Sequence, residues 1–349
     1  MNLTKKLTAF SLTVCMLASV LSGCTGMSST ASSQASAPEP SRPASSTQSA
    51  SRKTTIKIAT LKGPTGLGML QLMSKNDAKT AAEAYEFTLV NSPDEIVSKI
   101  SKGEVDAAAV PTNLAAVLYN KTNGKVQMAA VNTLGVLSIL TNGETINNIK
   151  DLKGKTVYSS GQGSVPEYAF NYILKQNGLT VGKDVQVEYK AEHAELAALV
   201  IAGKAKIALL PQPFVSQVMA KNKNVKASLD LTKEWDTVSG GKSVLTMGCL
   251  IVRKDFVEKN KAAFDTFLDE YKQSTEFTNS NIEEAAALSE KYQIMPAAVA
   301  KKAIPSCNIV YMDGKEMKTK IPDFLNILYT ANKKSVGGSL PGEDFYYKK

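Results

Sequence analysis

The pattern of apolar and polar positions along the chain occurs twice. Residues 99–121 read KISKGEVDAAAVPTNLAAVLYNK and residues 199–221 read LVIAGKAKIALLPQPFVSQVMAK, which sets Gly103 over Gly203, Pro111 over Pro211 and Lys121 over Lys221. Each copy is a helix end closed by Gly, then an unbroken run of small and apolar residues (105–110 and 205–210), then a Pro that opens an Ala/Val/Leu-rich segment. An apolar run without alternation predicts a strand covered on both faces of a parallel sheet. Proline suits the first turn of the helix after it. Upstream, the strand-like stretches 54–60 (TTIKIAT) and 155–160 (KTVYSS) run into Gly63-Pro64-Thr65-Gly66 and Gly161-Gln162-Gly163-Ser164, each followed by a helix, near 67–75 and 166–176. Both halves therefore read strand, Gly-rich loop, helix, strand, helix, strand, Pro-led helix. Open parallel sheets bind ligands beyond the carboxyl ends of their strands, so two such lobes predict a shared cleft; two α/β domains without a common site fit the same repeat.

The remaining pattern completes the lobes. The first gains a strand at 85–90, a helix at 94–102 and a last strand at 127–134; the second gains a short helical turn at 148–154, a strand at 185–189 and a helix at 192–202. After Trp235 and the flexible Ser239-Gly240-Gly241, a strand near 244–252 returns to the first lobe, to be covered by helices at 256–279, 282–292, 296–303 and 315–332. Two crossings predict a hinge of two segments, with residues 54–134 and 240–349 in lobe one and 135–239 in lobe two.

The amino terminus has a different character. Lys5 and Lys6 precede an apolar run at 7–21, too short to span a bilayer comfortably, and Leu21-Ser22-Gly23-Cys24 follows. This resembles a bacterial lipoprotein signal over 1–23, with Cys24 the lipidated first residue of the mature chain. An ordinary secretory signal with an incidental Cys is the alternative, and both imply export. Residues 24–53 are rich in Ser, Ala, Pro, Thr and Gln and bury too little apolar surface to offset their ordering entropy. They read as a disordered tether, a coil reaching roughly 30 Å.

Composition narrows the function. Hydrophobic residues make up 43% of the 349, ample for two buried cores after residue 54. The formal charge is +9, and loss of 1–23 removes Lys5 and Lys6 and leaves +7. A basic balance raises nucleic acid as a partner, but the lysines are dispersed and the arginines are only Arg42, Arg52 and Arg253. No RNP-type aromatic pattern or helix-turn-helix signature accompanies them, so attraction to an anionic membrane or cell wall accounts for the charge.

Catalytic motifs fail on inspection. Gly240-Gly241-Lys242-Ser243 ends like a phosphate-binding loop, yet Asp236 stands where the motif needs Gly. In Gly161-Gln162-Gly163-Ser164-Val165-Pro166 a Pro replaces the third Gly of a dinucleotide fingerprint. That loop reads instead as backbone N–H groups offered at a helix start. The sole histidine, His193, begins an Ala/Glu/Leu helix among polar neighbours and is expected to face solvent. No nucleophile elbow, zinc spacing or paired carboxylates are legible, so neither a metal nor a cofactor is expected. Cys249 and Cys307, both in an exported body, form either a disulfide or two separate buried thiols.

The lipobox, the tether, Gly63-Pro64-Thr65-Gly66, the stretch from Gly103 through Pro111-Thr112-Asn113, the run Lys150-Asp151-Leu152-Lys153-Gly154-Lys155-Thr156-Val157 and Gly161-Gln162-Gly163-Ser164 together resemble the extracytoplasmic solute-binding proteins of ABC importers. The similarity is to the class for nitrate, taurine and other sulfonates, and the pyrimidine precursor of thiamine. The resemblance implies an α/β fold of the two-lobed type II periplasmic-binding-protein kind, closing on its ligand. Its ligand shell would be Gly63, Pro64, Thr65, Gly66, Pro111, Thr112, Asn113, Thr133, Gly135, Gly161, Gln162, Gly163, Ser164, Pro211, Gln212, Phe214 and Trp235. Trp235 or Phe214 would stack on a planar ligand. No Arg lies in these loops, which argues against a bidentate carboxylate or phosphonate clamp and leaves a sulfonate, a nitrate-like anion or a neutral heterocycle. Implied partners are an ABC permease with its ATPase, and the membrane through a palmitate-bearing lipid on Cys24. The protein would be a monomer on the outer face of the cell membrane, or would face the periplasm where an outer membrane exists. A sensory or adhesive lipoprotein is the alternative, as is an enzyme of pyrimidine synthesis on the same fold, although the cysteine and histidine run of those enzymes is missing here.

Overall fold

The computed structural model describes residues 53–349, so the expected signal peptide, Cys24 and all but the last tether residue lie outside the described residues. Strand β1 (Thr55–Leu61) lies parallel between β2 (Ala84–Val90) and β3 (Ala107–Pro111). The one-turn helix α1 (Pro64–Leu67), α2 (Leu70–Asp77) and α3 (Pro93–Lys102) make the connections. Helix α4 (Thr112–Lys121) leads to β4 (Val126–Leu134), and the chain then enters a second sheet as β5 (Leu137–Asn142). There β6 (Thr156–Ser160), α5 (Val165–Gln176), β7 (Gln186–Lys190), α6 (His193–Ile201), β8 (Ile207–Pro211) and α7 (Phe214–Lys221) repeat the first unit, and β9 (Val225–Asp230) and α8 (Leu231–Ser239) complete it. Strand β10 (Thr246–Arg253) returns to the first sheet, followed by α9 (Lys254–Ser280), α10 (Ile282–Lys291), α11 (Ala297–Ala303), the short edge strand β11 (Ile309–Met312) and α12 (Gly314–Ala331).

The sheet orders are β11-β4-β10-β3-β1-β2 and β7-β6-β8-β5-β9. The triplets β2-β1-β3 and β7-β6-β8 are the sequence repeat made three-dimensional. Burial explains the unbroken apolar runs: every residue from Ala107 to Val110 is fully buried, and Ile207 to Leu210 are at most 2% exposed. Register sorts the first run by face. Val110 pairs with Cys249 and Ala108 with Ile251, and these four join one core; Ala107 and Ala109 pair with Val252 and Leu250 in the core on the other face.

Local chemistry sets the helix starts. Ser92 caps α3 in a capping box, its own backbone N–H donating to Glu95 Oε1 at 3.2 Å. The KDLKGKTV run begins with a similar box, in which Asn148 Oδ1 accepts from Lys150 N at 2.9 Å and Asp151 Oδ2 accepts from Asn148 N at 3.1 Å. Those backbone hydrogen bonds, from Asn147 first, hold the Asp151 carboxyl below its ordinary range.

Three features depart from the expected pattern. Edge strand β11 has only four residues, too few for a periodic signal. The C-terminal segment returns to β4, where Tyr347 N donates to Met128 O at 2.9 Å. A single core also runs from Val157, Phe170 and Trp235 on the second sheet's side to Val131, Phe324 and Leu328 on the first's. Among the described residues no helix is long and apolar enough to cross a membrane.

Candidate ligand-binding site

Strand register locates the crossing between the sheets. Leu137 at the start of β5 pairs with Pro211 at the end of β8, and Gly248 on β10 pairs both with Pro111 at the end of β3 and with Thr133 near the end of β4. The chain thus passes from one sheet to the other at the carboxyl ends of both sets of parallel strands. The loops 63–66, 111–113, 161–164 and 211–214 all border that crossing, which is where α/β sheets bind ligands.

On the first sheet's side, Gly63 follows β1 and Pro64 begins α1. Thr65 lies over the strand that returns from the second sheet: a Cβ on Gly248 would come within 2.6 Å of both Thr65 Cγ2 and Asn132 Oδ1. Thr112 is fully buried and shares a hydrogen bond of 2.9 Å with Thr246 Oγ1, which also donates to Thr133 O at 3.3 Å. Thr133 Oγ1 itself donates to Asn132 Oδ1 at 3.0 Å. Asn113 Nδ2 donates to Ser335 O at 3.2 Å, while Asn113 Oδ1 and Ser335 Oγ are buried without a protein partner. These two atoms are the unspent polar capacity beside the start of α4.

On the second sheet's side the loop spends several donors on itself. Ser164 donates to Gly161 O through its N–H at 3.2 Å and its Oγ at 2.6 Å, and Gly163 N donates to Glu167 Oε2 at 2.6 Å. Gly163 holds this pose at φ +75°, a left-handed conformation that costs Gly least. Gln162 is exposed. Gln212 Oε1 accepts from Ser216 N and Oγ at 3.2 and 2.8 Å and so caps α7.

His193 corrects the sequence reading. It does not project into solvent; it is half-buried, 2.6 Å from Ser160 Oγ through Nδ1, with its ring against that of Phe214 at 5.6 Å. Burial pulls its pKa below the ordinary value, and the nearby Glu192 charge offsets part of that pull. Ser160 and Phe214 flank the same strand ends as the Gly-rich loop, so an Ala-rich helix carries a polar ring to that edge. The missed signal was position: His193 opens α6, directly beyond the carboxyl end of β7.

At the crossing, Gly135 O accepts from Asn308 Nδ2, and a Cβ on Gly135 would overlap Thr232 Oγ1. Beside it lies a groove of about 520 Å³ lined by Gly135, Ser138, Gln212, Ser216, Asp230 and Asn308 among others. A second groove, about 420 Å³, separates α5 from α12, with Glu167, Asn171 and Lys175 facing Asn326 and Thr330.

One expectation is corrected outright, and one open alternative is decided. Trp235 has no exposed surface and lies between Tyr172 and Phe324, with ring centroids 5.0 and 5.6 Å away; its ring is spent on the core and cannot stack on a ligand. Cys249 and Cys307 are both free. Cys249 faces the core that holds Val110 and Met128, whereas Cys307 belongs to a separate cluster with Leu67, Leu70 and Ile309, so no disulfide joins them. Among the described residues no His, Cys, Asp or Glu cluster is able to hold a metal.

The chain is similar in sequence to a protein family described as ABC transporter, phosphonate, periplasmic substrate-binding protein, over residues 85–264, just over half of its length. No curated protein is significantly similar. Among solved structures, an ABC transporter protein from Parabacteroides distasonis is 24% identical with a TM-score of 0.71, over 85% of this chain and 100% of that one. The periplasmic aliphatic sulphonate binding protein SsuA of Escherichia coli is 16% identical with a TM-score of 0.67, over 84% and 92%. The Candida albicans CA3427 gene product, described as having the generic periplasmic binding protein fold, is 15% identical with a TM-score of 0.53, over 84% and 93%. At these identities the likeness is one of fold: two α/β lobes of the periplasmic-binding-protein kind.

Proposed function

The chain belongs to the ABC-transporter phosphonate periplasmic substrate-binding protein family, and on that premise we propose that it captures a small solute between its two lobes and delivers it to a membrane permease. One observation carries the reading: the crossing between the sheets lies at the carboxyl ends of both repeated strand sets, so duplicated loops border one space. A solute touching both sides stabilises the closed arrangement. Shifting a closed fraction from about 1% to about 99% takes roughly 5.5 kcal/mol of differential binding, within reach of a few hydrogen bonds and one stacked ring.

The proposal assigns residues 54–134 with 240–349 to one lobe and 135–239 to the other, with the solute held by side chains and backbone of the four loops, by His193 and by Phe214. It also includes export by residues 1–23, lipidation at Cys24 and an ATPase behind the permease. SsuA of Escherichia coli is described as binding aliphatic sulphonates, which makes sulfonates and phosphonates the first solutes to try, with nitrate and neutral pyrimidines beside them.

Thermal shift across those classes tests the reading. A solute at a hundred times its dissociation constant adds about 2.7 kcal/mol of stability. One chemical class is expected to give a saturable shift, with compaction in small-angle scattering. No shift from any class and no compaction would overturn solute capture.

A further inference from the structure

Only Gly135 and Val136 separate the last residue of β4 from the first of β5, so rotation of one sheet against the other must be absorbed there on this side. The return crossing, residues 240–245, is longer and holds Gly240 and Gly241 at φ +61° and +73°. The two-residue link is the tighter of the two. Its hydrogen bonds are divided between the sheets. Leu134 N donates to Asn308 O at 3.0 Å and Asn308 Nδ2 donates to Gly135 O, so one residue beside β11 grips the link through both main chain and side chain. Val136 O accepts instead from Gln212 N at 2.9 Å, just past the end of β8 in the second sheet. The division falls between the carbonyls of Gly135 and Val136.

Two further observations mark this spot. Asn308 has φ +41°, a left-handed conformation that Asn tolerates better than most residues, and it is exposed, so its side chain fills no core. From the second sheet's side, the Thr232 hydroxyl in α8 lies against Gly135, where an added Cβ would overlap it, and that hydroxyl is buried without a protein partner. A free donor thus stands beside a carbonyl that a competitor holds. We propose that Asn308 is the positioning residue of the hinge and that Gly135 O has two alternative partners: Asn308 Nδ2 in the arrangement described here, and Thr232 Oγ1 when the lobes rotate away from it. The proposal rests on solute capture between moving lobes. It adds to that reading the group that sets the resting angle. Exchange of one hydrogen bond for another keeps the carbonyl satisfied in both arrangements, which leaves the choice between them to the solute's differential affinity.

Asn308→Asp removes the donor and Asn308→Gly the whole side chain, and both replacements accept the left-handed backbone. Thr232→Val removes the alternative donor at nearly constant shape. Double electron–electron resonance on the full chain reads the lobe separation without any solute. Nitroxides are carried by Lys121→Cys and Lys221→Cys, both exposed, with Cys15→Ser and Cys24→Ser, while Cys249 and Cys307 are buried. Both Asn308 variants are expected to raise the ratio of the second arrangement to the resting one by about two- to tenfold, the worth of one hydrogen bond, and Thr232→Val to lower it. A merely structural role would lower the melting temperature and leave the distances as they were. Unchanged distances in both Asn308 variants, or a shift in the same direction by Thr232→Val, would overturn the proposal. A failure of solute capture reads out separately in the thermal-shift screen, because the resonance measurement contains no solute.

Discussion

Thr112 and Thr246 meet hydroxyl to hydroxyl at 2.9 Å with no exposed surface on either. Because Thr246 Oγ1 also donates to Thr133 O at 3.3 Å, this pair ties the start of α4 to the end of β4 and to the strand returning from the second sheet. It is the polar knot of the hinge.

Removing one hydroxyl from the knot leaves its partner under-satisfied in a dry site. Thr246→Val is therefore expected to cost about 1–3 kcal/mol in urea unfolding. The double change with Thr112→Val should cost less than the two single changes added together, because neither hydroxyl is then orphaned. Strict additivity would mean that the two do not interact.

Trp235 fills space between Tyr172 and Phe324. Trp235→Ala should destabilise the fold by about 3–5 kcal/mol, and any lost solute binding should track unfolding. As the chain's one tryptophan, it should emit from an apolar environment and be shielded from iodide. Ready quenching would contradict its burial.

His193 makes stability depend on pH in a stated direction. The folded chain holds its imidazole below the ordinary pKa because of burial, while the unfolded chain titrates near 6.5. Between those two values the unfolded state binds a proton that the folded state does not. Stability is thus complete above about pH 6.5, is lost as pH falls through the window, and levels off below the folded pKa. Melting curves across that range should show the fall, and His193→Gln should flatten it. The sole histidine also gives a single proton-resonance titration, and a midpoint at or above the ordinary value would refute the environment described.

The two core cysteines should be inert while the chain is folded. Burial pushes the Cys307 thiol up to about 12 and that of Cys249 higher still, so thiolate is scarce at neutral pH. Peptide mapping after alkylation should find both unmodified in native protein and both labelled after denaturation without reductant. A linked peptide pair would restore the disulfide.

What the sequence made legible was local. The runs at 107–110 and 207–210 could only be strands covered on both faces, and the Gly and Pro that bracket each run marked where helices end and begin. Edge strand β11 was invisible because four residues carry no period, and it pairs with β4 more than 170 residues away. Within the candidate site, the sequence brought forward the residues at strand ends but ranked Trp235 by its aromatic ring and His193 by its polar neighbours. Both rankings failed on partners distant in the chain: Phe324 covers the first, and Ser160 with Phe214 holds the second.

The division has a physical cause. Hydrophobic period, backbone conformation and helix capping depend on residues within a turn or two, so the chain alone determined two repeated α/β units and the order of their elements. Whether a polar group meets solvent, a solute or another side chain depends on what folding brings opposite to it. Only the tertiary structure decided that Thr112 faces Thr246, 134 residues away, and that Cys249 and Cys307 enter different cores.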